Sequence, residues 1–433
     1  MRDFRVKKAS ELRVCSSKRK MILKTLFFIY LFSIGLSILQ FEFVGVILFS
    51  LIFLSVFAWL AWTEWVDIKS NSRNITKFLE ILFPFFLISS LYVLVWLKLD
   101  IFWVIFILEF QSFIILGACY LFERKEDWTI IRGAEGSINY IFPAFFSFIL
   151  MLTYVISSTY SACSSYQVDL IMNVILTLSV LTKLGAFPIF VWVPKVFKNV
   201  CYNTLILLSV ISKVFLIAII LLYLPIKGPG LLLIGLITII ISSFYMIGTS
   251  NIKRFLAFSS VANVGWVLIL FICTKSELPL NLTGPEVLCL FFFFYAFNFI
   301  LFCIMVDKGS HSHLYYLPNK LITNQHFVIF LSTLVLTLLS LSGFPPFSGF
   351  FGKYIILLEY YNYSLLITFF LLLISALFVF IYLRPVVYYL FVGSSNIIKG
   401  LYKKNDSKSM FNNLISYLFL INIHIIFCIF YIL

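Results

Sequence analysis

Charge is scarce in this chain: Asp, Glu, Lys and Arg together make up 12% of its 433 residues, about half the share a soluble domain carries. Histidine is scarcer, with four copies, and His311 and His313 form the only close pair, in a loop without neighbouring ligands. The eight cysteines are Cys15, Cys119, Cys163, Cys201, Cys273, Cys289, Cys303 and Cys428. No two are spaced C-x-x-C and most fall in apolar stretches, which argues against a disulfide framework, a zinc site or an iron–sulfur cluster. A G-x-G-x-x-G dinucleotide fingerprint is missing as well. No cofactor, metal or redox active site is therefore expected in this chain.

What is present is apolar. Hydrophobic residues reach 62%, Phe alone contributes 52, and the mean hydropathy is +1.07. A soluble fold of this size could not hide that much apolar surface, so the expected solvent is lipid. The abundance of Phe, Ile, Leu, Tyr, Lys and Asn is the bias of an AT-rich genome. Organellar genomes are often of that kind, so a mitochondrial origin is expected.

A membrane span needs about 20 mainly apolar residues. Thirteen candidates follow: 22–40, 43–62, 78–97, 100–121, 138–157, 168–193, 203–224, 230–248, 254–272, 286–306, 326–358, 364–388 and 415–432. The fold class is thus an all-α polytopic membrane protein. With the N-terminus inside and the spans alternating, 25 Lys and Arg fall in inside segments. Only Lys98, Lys227 and Lys275 fall outside. So strong a positive-inside bias supports the count and explains the net charge of +14 without nucleic acid. The first twenty residues hold eight Lys and Arg against Asp3 and Glu11, a basic inside tail or part of a targeting segment.

Two spans carry breakers. The sixth contains Lys183-Leu184-Gly185-Ala186-Phe187-Pro188, and the eleventh Gly343-Phe344-Pro345-Pro346-Phe347-Ser348-Gly349 followed by Gly352-Lys353. Proline removes a backbone donor and clashes with the preceding turn, so both helices should break. The breaks lie five helices apart, an odd number, so the two elements should run in opposite directions. Antiparallel broken helices imply an inverted repeat around a transport site. The expected organisation is a basic tail (1–21), N-terminal helices (22–77), a first repeat unit (78–224), a second (230–388), and an inside loop with a last helix (389–433).

At 1.5 Å per residue, Glu109, Lys183, Lys213 and Lys353 all lie near the middle of a core about 30 Å thick. A charge there costs at least about 2.5 kcal/mol. The sharper reading is a proton relay through titratable side chains bridged by water. Lysine suits that task because burial readily neutralises it. The plainer reading is a static Glu109–Lys183 ion pair joining two helices. His424, also near mid-depth, is expected to be a packed histidine.

These residues carry a family likeness. LTKLGAFPIFVWVP (181–194) resembles the broken-helix motif of the antiporter-like subunits of respiratory complex I. SNIKRFLAFSS (250–260) and LSGFPPFSGFFGK (341–353) look like that family's lysine–arginine loop and its second broken helix. Glu109 in LEFQSF matches the intramembrane glutamate, and Ser212-Lys213 the second central lysine. Tyr382-Leu383-Arg384 looks most like the second of the three subunits of this kind. Bacterial members have fourteen helices with the glutamate on the fifth, so this chain is shifted by one. Departures are Phe190 and Asn263 where histidine is usual, Lys195 where an acid is usual, and Cys201 and Asn203 for prolines.

The resemblance implies a proton-translocating membrane-arm subunit of NADH:ubiquinone oxidoreductase. Its relay would run through Glu109, Lys183, Lys213 and Lys353. Its partners would be other membrane-arm subunits and the lipid bilayer, with protons as cargo and no nucleic acid. The rival expectations are a cation/proton antiporter and a scaffold that moves nothing.

Overall fold

The computed structural model describes residues 101–400, apart from 122–126, 161–165, 215, 218–228, 273–283, 310–324 and 346. They lie within residues 57–433, one of two units into which the chain divides. The first three expected spans and the last fall outside the described residues.

Every described element is helical. In lipid no water satisfies the backbone, so a spanning chain must close its own hydrogen bonds, and a helix does so within one segment. The helices are α1 (Ile101–Leu121), α2 (Asp127–Tyr160), α3 (Tyr166–Leu184), α4 (Trp192–Asn199), α5 (Tyr202–Ile206), α6 (Pro229–Ile247), α7 (Ile252–Ile272), α8 (Gly284–Gly309), α9 (Gln325–Ser342), α10 (Ser348–Tyr363) and α11 (Leu365–Gly400). Among the described residues, five helices are long and apolar enough to cross a membrane, namely α1, α2, α6, α7 and α11.

Two helices outrun the spans read from hydropathy. α2 begins at Asp127, where the apolar stretch suggested 138, and α11 continues to Gly400 beyond the expected 388. Hydropathy marks where lipid begins, but a helix stops only where something breaks it. The proline inside each, Pro143 and Pro385, does not interrupt the helix.

Burial orders the bundle. The apolar part of α7 is 94% buried within the protein, whereas α2 and α11 bury only 28% of theirs. α7 is therefore the central post, packed against α4, α6, α8 and α10. α2 and α11 turn large apolar side chains such as Phe142 and Leu366 outward, as lipid-facing helices do. The α6–α7 contact is close because of small residues. A Cβ on Gly265 would fall 2.4 Å from Thr238 Oγ1, and one on Gly235 3.0 Å from the Gly265 carbonyl. Such pairs let backbones approach where lipid offers no hydrophobic drive.

Candidate functional site

The sixth expected span is two helices. α3 ends at Leu184, and Gly185 takes φ +73°. Its N–H donates to Thr182 O at 3.2 Å, while Ala186 N–H donates to Leu181 O at 3.0 Å. This is the Schellman closure, whose left-handed position favours glycine. A Cβ at Gly185 would also meet Val193 Cγ2 at 2.4 Å. The eleventh span repeats the device. Gly343 takes φ +76°, its N–H reaches Ser340 O at 3.1 Å, and Phe344 N–H reaches Leu339 O at 3.1 Å. The two breaks are closed by the same pair of hydrogen bonds.

At each break one carbonyl of the first limb accepts from a side chain of the second. Trp192, at the start of α4, donates its indole N–H to Thr182 O at 3.1 Å. At the second break Lys353 Nζ donates at 2.7 Å to a different carbonyl, that of Ser342 just before the glycine. Lys353 is 3% exposed, and its ammonium stands 4.3 Å from the centre of the Phe378 ring and 5.6 Å from that of Trp266. Aromatic faces of this kind attract a cation.

Lys183 has a different partner. Its Nζ donates to Glu109 Oε1 in direct contact, joining α3 to α1 across 74 residues. The two side chains are 7% and 16% exposed. Ser112 Oγ lies 3.1 Å from Glu109 Oε2 and 2.7 Å from the Glu109 carbonyl, so its proton can serve either. The expected pair is present.

Lys213 stands between the breaks. α5 runs into a π-turn at Leu207–Ile211, then resumes as α-helix, with Lys213 two residues beyond. π-turns within helices are frequent at functional sites. Lys213 is 5% exposed, and its Nζ donates to Ser260 O on α7 at 2.9 Å.

α7 links these groups. Ser259 Oγ accepts from the Tyr382 hydroxyl, and Asn263 Nδ2 donates to Ser259 O at 2.9 Å. One turn on, a cavity of about 10 Å³ is lined by Asn263, Tyr295, Asn298, Ser340 and Lys353, among others. That is about the room one water occupies. Ser340 Oγ donates to Asn298 Oδ1 at 2.7 Å. Sequence reading missed Asn298, Ser340 and the serines of α7. They are uncharged, and nothing in their spacing distinguishes them from packing residues. Lys183 meets Glu109, but Lys213 and Lys353 each meet a backbone carbonyl. Among the described residues no group of three or more His, Cys, Asp or Glu side chains could hold a metal ion.

Basic residues collect at one end. Lys253 Nζ donates to Val200 O at 2.5 Å and Arg384 Nη1 to Ile247 O at 3.3 Å. These bonds bring the end of α4, the α6–α7 turn and α11 together. Lys195, Lys198 and Arg254 border one cleft at the same end. All five were assigned to the inside by alternation.

Buried cations at two broken helices around a central post define a helical membrane protein of antiporter-like build. The comparisons agree. The family described as NADH:quinone oxidoreductase/Mrp antiporter, TM, matches residues 138–379, and the chain belongs to it. Within that family its likeness is to proteins named NADH-ubiquinone oxidoreductase chain 2. The Varanus baritji protein is 30% identical over 188 residues, 43% of this chain and 51% of that one. The Oryzorictes hova protein is 26% identical over 244 residues, 55% and 67% of the two. Several of these matches span only about half the length of the relatives.

Solved structures show the same fold at low identity. A chain of respiratory complex I from Thermus thermophilus superposes with a TM-score of 0.60 at 16% identity, covering 82% of this chain and 84% of that one. A chain of the membrane-bound sulfane sulfur reductase, an archaeal respiratory membrane complex, gives 0.69 at 15%, covering 90% and 79%. A chain of the Mrp complex from a Dietzia species gives 0.62 at 14%, covering 83% and 67%.

Proposed function

We propose that this chain is a proton-translocating membrane-arm subunit of a respiratory NADH:quinone oxidoreductase, of the chain 2 kind, in the mitochondrial inner membrane. Its own task is to move protons, while NADH oxidation and quinone reduction belong to other subunits of the assembly. The observation that carries this reading is the placement of ionisable groups at the helix breaks. Glu109 and Lys183 meet at the first, and Lys353 reaches into the second.

The relay runs from the Glu109–Lys183 pair to Lys213 and on to Lys353. Opposite charges in contact hold a proton on the lysine, and moving Glu109 away favours its release. α7 offers the path between the two further lysines, because Ser260, Asn263 and the water-sized cavity lie along it. The closing bonds shared by the two breaks support an inverted repeat of 78–224 on 230–388. The thirteen-span count is part of the same proposal.

The test is proton transfer per electron in vesicles holding the intact complex, with Lys183→Met against wild type. Assembly with pumping lost supports the relay. Assembly with pumping intact would make the chain a scaffold. The likeness to an Mrp complex chain favours one second reading, a cation/proton antiporter. Copurification with flavin and iron–sulfur proteins supports the first reading over that one.

A further inference from the structure

We propose that the basic end of the bundle holds the headgroup of an anionic phospholipid. A cleft of about 470 Å³ opens between α2, α4, the end of α6 and the start of α7. Lys195 and Lys198 sit three residues apart on α4, so both face one side of that helix. Arg254 closes the cleft from the first turn of α7. All three are exposed, and no described residue forms an ion pair with them. Glu135 is the one acid in the lining, and its Oε2 already accepts from Asn199 Nδ2 at 3.3 Å. The cleft therefore presents three positive charges against one negative.

Two features select a lipid over a soluble anion. The floor of the cleft is aromatic: Tyr245, 56% exposed, stacks on Phe258 with ring centres 5.3 Å apart. Beside it, across the last turn of α6, runs an apolar groove of about 310 Å³ bordered by Phe244, Ile247, Leu377 and Phe380. Thr249 lines both spaces. A phosphodiester in the cleft can thus continue as an acyl chain in the groove, whereas free phosphate would use only the first. The location fits, because basic pockets between helices on the inside face are where anionic headgroups bind. Nothing in this assignment depends on proton transfer.

The experiment uses the detergent-solubilised complex, stripped of endogenous lipid and titrated with dioleoyl phosphatidylglycerol or phosphatidylcholine, with retained adducts counted by native mass spectrometry. A basic side chain at a membrane surface contributes roughly fivefold to anionic-lipid binding. The expected result is a phosphatidylglycerol preference of about tenfold or more in the wild type. It should fall to about twofold or less in Lys195→Gln/Lys198→Gln/Arg254→Gln. The charge-keeping variant Lys195→Arg/Lys198→Arg/Arg254→Lys should retain it. No preference in the wild type, which needs no variant to read, overturns the proposal. So does a preference undiminished in the glutamine variant. Displacement of the lipid by inorganic phosphate at equal concentration would assign the cleft to a soluble anion and overturn it too.

Discussion

Replacing Glu109 by Gln tests the relay at its best-defined contact. The side chains of Glu109 and Lys183 touch and are largely removed from solvent, so salt screens them little. At about 4 Å and an effective dielectric near 20, two unit charges attract by about 4 kcal/mol. That is roughly a thousandfold in an equilibrium constant. Glutamine is nearly isosteric: its amide oxygen can accept from Lys183, and its NH2, in place of Oε2, can donate to Ser112 Oγ. The helices should therefore pack as before while the charge that holds a proton on Lys183 is gone. Breaking a buried pair costs about 3–5 kcal/mol when the remaining charge persists, so the variant should load the pair poorly.

The expected outcome is normal assembly on a native gel with a sharp fall in protons moved per electron in reconstituted vesicles. Glu109→Asp keeps the charge with a shorter reach, and partial pumping should return. Pumping at the wild-type ratio by the Gln variant would show that the carboxylate only packs, and the switch would have to be given up.

Three further outcomes follow from the geometry. Gly185→Ala places a Cβ at φ +73° and 2.4 Å from Val193. It should lose about 1–2 kcal/mol for the left-handed backbone, with a further loss from overpacking, read as a lower melting temperature of the complex; an unchanged melting temperature would refute the break geometry. Lys353→Met keeps the stem beside Phe378 and removes the donor to Ser342 O, so assembly should survive with little proton transfer, and full transfer would remove Lys353 from the relay. Single cysteines at Lys198 and Arg384 should react with a membrane-impermeant reagent from the same side, and labelling from opposite sides would refute the alternation of spans.

Much of the site was legible because its signals are local. The Gly/Pro clusters announced the two breaks, while the left-handed closures at Gly185 and Gly343 emerged only from the backbone. Glu109 and Lys183 were legible as a pair because each stands alone in an apolar run. The partners of Lys213 and Lys353 were not, since a carbonyl acceptor carries no signature in sequence and is chosen by which helix packs alongside. The role of α7 was hidden for the same reason. Its sequence reads as one more apolar span, and only tertiary packing makes it the post on which Ser260 and Asn263 stand. The helices α2 and α11 run beyond the expected spans because hydropathy measures the lipid boundary and not the helix.

The two breaks solve one backbone problem in different ways, and the difference bears on direction. At the first, Trp192 adds a second donor to the Thr182 carbonyl, and Lys183 meets a full counter-charge on Glu109. At the second, the lysine occupies the Ser342 carbonyl, a fixed dipole that can neither titrate nor swing. An ammonium facing only dipoles and ring faces near mid-membrane costs at least about 2.5 kcal/mol, whereas contact with a full counter-charge offsets most of such a cost. In the relay we propose, a proton is therefore held at the Glu109–Lys183 pair and passes quickly through Lys353. In a relay joined through α7, holding belongs to the first break and letting go to the second. Removing Glu109 should then lower the amount of charge loaded per cycle, while removing Lys353 should leave loading intact and block its discharge.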